Sequence, residues 1–97
     1  MRHEIILAPE AIADLKRLSA RARTEVRDAL EIHLRHEPTK TSRSRIKRLR
    51  GLSRPQYRLR VDEMRVFYDV ESGRLEILAI VMKSDVAAWL AREGWKP

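Results

Sequence analysis

Between residues 39 and 65 the sequence carries ten basic side chains: Lys40, Arg43, Arg45, Lys47, Arg48, Arg50, Arg54, Arg58, Arg60 and Arg65. The only acids in that window are Asp62 and Glu63, so it nets +8 while the rest of the chain nets −1. Most of the ten are arginine, whose planar fork matches phosphate oxygens where lysine offers only a point charge. Charge scattered for solubility does not segregate in this way; a surface built for a polyanion does. In Tyr57-Arg58-Leu59-Arg60-Val61 the residues alternate. A strand period of two sets Arg58 and Arg60 on one face and the apolar residues on the other. Such a pair neutralises negative charge well. It abstracts protons poorly, because the guanidinium pKa exceeds ~12.

Other chemistries are poorly supported. There is no cysteine, which excludes disulfides, thiolate catalysis and cysteine-based zinc sites. His3, His33 and His36 are dispersed, with His33 near an apolar stripe, so no metal or cofactor is expected. Glu10 and Asp14, one helical turn apart, read as a solvated face. Tyr57 and Tyr68 alternate with core residues and should be buried, with a hydroxyl reaching a partner. Trp89 and Trp95 read as packing or interface residues, although Trp89 could stack on a base. No run approaches the ~18 apolar residues of a membrane span, and Met1-Arg2-His3-Glu4 lacks the apolar block of a signal peptide. The expected compartment is the cytoplasm, without a membrane partner.

The elements that must position these groups fit one domain, residues 1–97, in a chain of 11.4 kDa. Arg2 to Leu7, with Ile5-Ile6, predicts a first strand. Pro9 then suits the first turn of a helix whose apolar stripe is Ala8, Ala11, Ile12, Leu15 and Leu18, with Asp14, Lys16 and Arg17 facing away. Ser19 caps a second helix, about Ala20 to Glu37, striped by Ala22, Val26, Ala29, Leu30, His33 and Leu34 and ended by Pro38. Thr39 to Leu52 lacks a period and reads as a basic loop. Strands follow at Gln56–Val61, Met64–Val70 and Leu75–Met82, separated by turns at Asp62-Glu63 and Ser72-Gly73. The third is nearly all apolar and should be central, buried on both faces. Ser84-Asp85 starts a last helix that Gly94 ends. The order β-α-α-β-β-β-α implies an α+β fold, a helical hairpin packed on a mainly antiparallel sheet.

This ordered set resembles a family. The strand, the helical hairpin, Lys47-Arg48-Leu49-Arg50-Gly51, the Tyr57–Val61 strand, Met64-Arg65-Val66-Phe67-Tyr68 and the late apolar strand look like the RelE/ParE toxins of type II toxin–antitoxin systems. The resemblance spans nearly the whole chain and implies a RelE-like fold, a cognate antitoxin and a toxin–antitoxin hetero-oligomer. RelE-like members are endoribonucleases that cut mRNA in the ribosomal decoding site. ParE-like members inhibit DNA gyrase without nuclease activity. Arg58 and Arg60 fall where RelE-like toxins carry basic catalytic residues, Arg65 matches the arginine of the next strand, and Lys83 can replace the arginine that follows the last one. Arg43, Arg45, Lys47, Arg48, Arg50 and Arg54 would then contact mRNA and ribosomal RNA. One departure stands out: Ala87 occupies the position where a tyrosine would align. The resemblance therefore favours a metal-independent mRNA endonuclease that inhibits translation, with a gyrase inhibitor or a catalytically degenerate nucleic-acid-binding member as the alternatives.

Overall fold

The computed structural model describes residues 2–96, so Met1 and Pro97 of the expected domain lie outside the described residues. In chain order the elements are β1 (Glu4–Leu7), α1 (Pro9–Arg17), α2 (Ala20–Ala29), a π turn (Leu30–Leu34), β2 (Ile46–Arg48), β3 (Tyr57–Val61), β4 (Met64–Glu71), β5 (Arg74–Met82), a 3-10 turn (Lys83–Asp85) and α3 (Val86–Glu93). The sheet order is β1-β5-β4-β3-β2. Among the described residues only the β1–β5 pair is parallel. The expected order is thus present with one addition, the short strand β2.

Local chemistry explains the helical hairpin. Pro9 opens α1, where its missing N–H has no partner to lose. The Ser19 hydroxyl accepts the Ala22 N–H at 3.1 Å and caps α2. Ala11, Leu15, Val26, Ala29, Leu30 and Leu34 then bury against Leu59, Val61, Val66, Tyr68, Leu75 and Ile77 on one sheet face. Each large aliphatic side chain buried this way contributes roughly 1.5–3 kcal/mol. Two expectations need correcting. Ile12 is exposed, not part of the stripe. The second helix does not run regularly to Glu37: after Ala29 it loosens into the π turn, which leaves Ile32 outside at 74% exposure.

β5 is buried on both faces, as its composition predicts. Leu75, Ile77 and Ile80 meet the hairpin, while Ala79 and Val81 meet Phe67 and Trp89. A register shift makes this possible. Phe67 pairs with Ala79 and Tyr68 with Ile77, leaving Leu78 as the extra residue of a bulge. α3 covers part of the second face by stacking Trp89 on Phe67, ring centroids 4.8 Å apart and planes at 10°. The Trp89 indole N–H donates to Glu10 Oε2 at 2.9 Å, and Asp14 Oδ2 accepts the Ile80 N–H at 2.9 Å. Glu10 and Asp14 are therefore not a merely solvated face; they tie α1 to α3 and to β5.

Candidate functional site

The second sheet face, beyond the cover of α3, carries the arginines. Pairing across β2, β3 and β4 sets Lys47 opposite Arg58, Arg58 opposite Phe67, and Arg60 opposite Arg65. Cross-strand neighbours lie about 5 Å apart at Cβ, so these cations share one patch. Arg60 is exposed, and its main-chain N–H donates to the Arg45 carbonyl at 2.8 Å. Arg58 is half-buried. One of its terminal nitrogens donates to the Ser44 carbonyl at 3.2 Å, and its buried Nε has no partner. Burial, then the charges of Arg65 and Arg60, push the Arg58 pKa below the ordinary guanidinium value. Those are the conditions that a bound anion would relieve.

Arg65 is held more tightly than its sequence position suggests. It is buried at 8% exposure, and its Nη1 donates to the carbonyls of Asp62 and Met64 at 2.8 and 2.9 Å. It braces the β3–β4 turn, where Asp62 adopts φ 52°, and presents its charge from beneath the patch. Lys83 is exposed at the same end of the sheet. Its main-chain N–H donates to the Glu63 carbonyl at 2.8 Å, extending the β4–β5 ladder by one bond. Among the described residues none of Arg58, Arg60, Arg65, Lys83, Arg43, Arg45, Lys47, Arg48 and Arg50 forms an ion pair.

Two of the residues expected to bind RNA are placed differently. Arg54 pairs with Asp69 at 3.1 Å and Glu76 at 3.0 Å, so its charge is already neutralised. Its main chain bridges to Trp95, whose N–H donates to the Arg54 carbonyl at 2.8 Å. Arg48 lies over the Tyr57 ring at 5.1 Å, and Tyr57 packs with the hairpin core. Arg48 therefore points to the face opposite Arg58. Lys47 shares the arginine face, while Arg43, Arg45 and Arg50 are exposed in the segments that flank β2.

Among the described residues, the hydroxyl and ring groups that could move a proton here are absent or engaged elsewhere. Ala87 is an exposed alanine in the first turn of α3. Trp89 is buried and bonded to Glu10, so it is unavailable to stack on a base. Tyr68 is also committed: its hydroxyl donates to the Pro38 carbonyl at 2.6 Å, and burial raises its phenol well above the ordinary range. Tyr57 stacks on it at 5.5 Å. Tyr68 sits in the core with its hydroxyl satisfied, as its alternation predicts, while Tyr57 is only partly buried against it. The patch as built can hold a phosphodiester and stabilise added negative charge.

Sequence and fold comparisons agree on what this chain is similar to. A family profile described as "ParE toxin of type II toxin-antitoxin system, parDE" matches residues 5–86. No curated protein matches the sequence significantly. Among solved structures, the chain is similar to one in the RelB–RelE antitoxin–toxin complex from Methanococcus jannaschii, with a TM-score of 0.64 at 16% identity over 87% of this chain and 96% of that one. The archaeal RelE–RelB complex from Pyrococcus horikoshii OT3 gives 0.56 at 20% identity, over 86% and 97%. The YoeB dimer from Staphylococcus aureus gives 0.60 at 17%, over 84% and 97%. Among the described residues no helix is long and apolar enough to cross a membrane.

Proposed function

This chain belongs to the family of ParE toxins of type II toxin–antitoxin systems, and from that premise we propose that it is a ribosome-dependent mRNA endonuclease. The observation that carries the proposal is the set of Arg58 and Arg60 on one face of β3 with Arg65 paired to Arg60 on β4, without a carboxylate partner among the described residues. In the reaction a ribose 2′-oxygen attacks the adjacent phosphorus, the bond to the 5′-oxygen breaks, and the 2′-hydroxyl proton ends on that leaving oxygen. Negative charge accumulates on the phosphorane. Arginines aimed at it are worth roughly 10²–10³ in rate each. Arginine cannot take the proton. The arginines and Lys83 would therefore act on charge and position, and the 2′-hydroxyl proton would pass to the leaving oxygen through water or a group of the ribosome.

Residues 1–97 would act as one domain in the cytoplasm, where ribosomes are. A cognate antitoxin would cover the arginine face, since two of the similar structures are toxin–antitoxin complexes. Ala87, lacking a hydroxyl, favours a second reading: inhibition of DNA gyrase through binding alone. Translation of a defined mRNA by purified ribosomes, with cleavage mapped by primer extension, tests the first. Cuts should appear with wild type and fade with Arg60→Ala. Intact mRNA together with loss of gyrase supercoiling would establish the second.

A further inference from the structure

The π turn and the basic loop enclose a second feature that the arginine face does not use. A cleft of about 350 Å³ opens between them, lined among others by Ile32, His33, His36, Ser42, Arg45 and Ile46. That volume is within the range of small-ligand sites. Its walls are fixed: the Ser42 hydroxyl accepts the main-chain N–H groups of Arg45 and Ile46 at 3.0 and 3.3 Å. Ile46 forms a buried floor, and Ile32 stands at the edge as the most exposed large apolar side chain of the hairpin. Turns of π geometry often mark functional positions.

Arg45 joins this cleft to the arginine face. Its side chain lines the cleft, while its carbonyl accepts the Arg60 N–H, and the preceding Ser44 carbonyl accepts from the Arg58 guanidinium. A strand of RNA held at Arg58 and Arg60 meets the cleft by crossing the β2 edge. We propose that the cleft is a nucleotide subsite for single-stranded RNA, taking a base against His33, His36 and Ile32 and the neighbouring phosphate on Arg45. The proposal rests on the RNA reading of the arginine face. Imidazole planes serve as base-stacking platforms, and single-stranded RNA is where unstacked bases are offered. Burial and the Arg45 charge hold the His33 pKa below the ordinary imidazole value. Both causes favour the neutral ring, whose stacking brings no charge out of water.

The test uses the full chain and a fluorescein-labelled eight-nucleotide single-stranded RNA, followed by anisotropy at fixed salt. The His33 and His36 imidazole resonances of the wild type are recorded during the same titration. His33→Ala with His36→Ala should weaken binding roughly 5- to 150-fold, as for other aromatic–base stacks, with the salt dependence unchanged. Both imidazole signals should move on addition of RNA. Arg45→Ala should weaken binding and flatten the log-affinity slope by about 0.7. If Arg60→Ala weakens binding while the histidine variant matches wild type and the imidazole signals stay still, the subsite is wrong and the RNA reading stands. Failure of the wild type to bind this RNA overturns the subsite, while the endonuclease reading is decided separately by cleavage on purified ribosomes. Should the histidine variant unfold, the wild-type imidazole shifts decide alone.

Discussion

Arg60 on β3 and Arg65 on β4 are direct cross-strand partners, like charges facing each other with no carboxylate between them. Like charges directly opposite in a sheet destabilise it by a few tenths to about 1 kcal/mol. A bound anion between them would relieve that repulsion, as the proposed phosphate-binding role requires.

Arg60→Thr should therefore be at least as stable as wild type, by up to about 1 kcal/mol, because threonine suits an exposed strand position and the repulsion disappears. The same variant should lose roughly 10²–10³ in single-turnover cleavage on programmed ribosomes. Thermal unfolding checks the first half; a lower Tm would contradict the repulsion.

Arg65→Ala should behave in the opposite way. Two hydrogen bonds from a charged, buried donor hold the Asp62 and Met64 carbonyls, and such bonds are worth about 1.5–3 kcal/mol each at most. The urea midpoint should fall clearly for Arg65→Ala and less for Arg65→Lys, which keeps one bond. An unchanged midpoint would show that the brace contributes nothing, and would leave Arg65 a purely electrostatic part of the face.

Tyr68 gives a pH dependence. Its phenol is held neutral in the fold far above the ordinary value near ~10. Above that value the unfolded chain binds fewer protons than the native one, so stability must fall as pH rises, by up to about 1.4 kcal/mol per unit from this group. The stabilising contribution is fully present below pH ~10. Tyr68→Phe should be less stable at neutral pH, through loss of the bond to Pro38, yet show a shallower alkaline decline. Equal slopes for the two proteins between pH 9 and 11 would reject the assignment.

Salt separates the free cations from the neutralised one. Each phosphate contact to a single strand contributes roughly −0.7 to the slope of log affinity against log salt. Arg60→Ala should flatten that slope by one such step. Arg54→Ala should leave it unchanged while lowering stability, because Asp69 and Glu76 already hold that guanidinium. A salt slope that responds to Arg54 would place the bound strand elsewhere on the sheet.

The sequence carries the strong periods and misses what depends on distant partners. Tyr57 to Val61 alternates and forms the strand that alternation requires. Ser19 is readable as a cap from its type and place. β2 is not readable: Ile46–Arg48 has one apolar residue among cations, and it becomes a strand because β3 is there to pair with it. The burial of Arg65 depends on the turn folding back to meet its guanidinium. Arg54 counts as one more cation until the sheet aligns Asp69 with Glu76. Glu10 looks solvated until α3 brings Trp89 to it. Charge density marks the candidate face; only tertiary pairing decides which of its charges have a carboxylate partner.

The parallel pairing of β1 with β5 also has a consequence in time. Glu4 aligns with Arg74, so the first strand of the chain must wait for the last. At synthesis rates of about 5–20 residues per second, the wait is roughly 4–14 seconds. Until then Ile5, Ile6 and Leu7 have no sheet to join, and α1 lacks the β5 surface against which Asp14 docks. β3, already bearing Arg58 and Arg60, leaves the ribosome before β5 can complete the platform beneath it. A chain stopped between β4 and β5 would carry the paired arginines of β3 and β4 without Lys83, the docked first strand or the strand that joins β1 to β4 in the sheet.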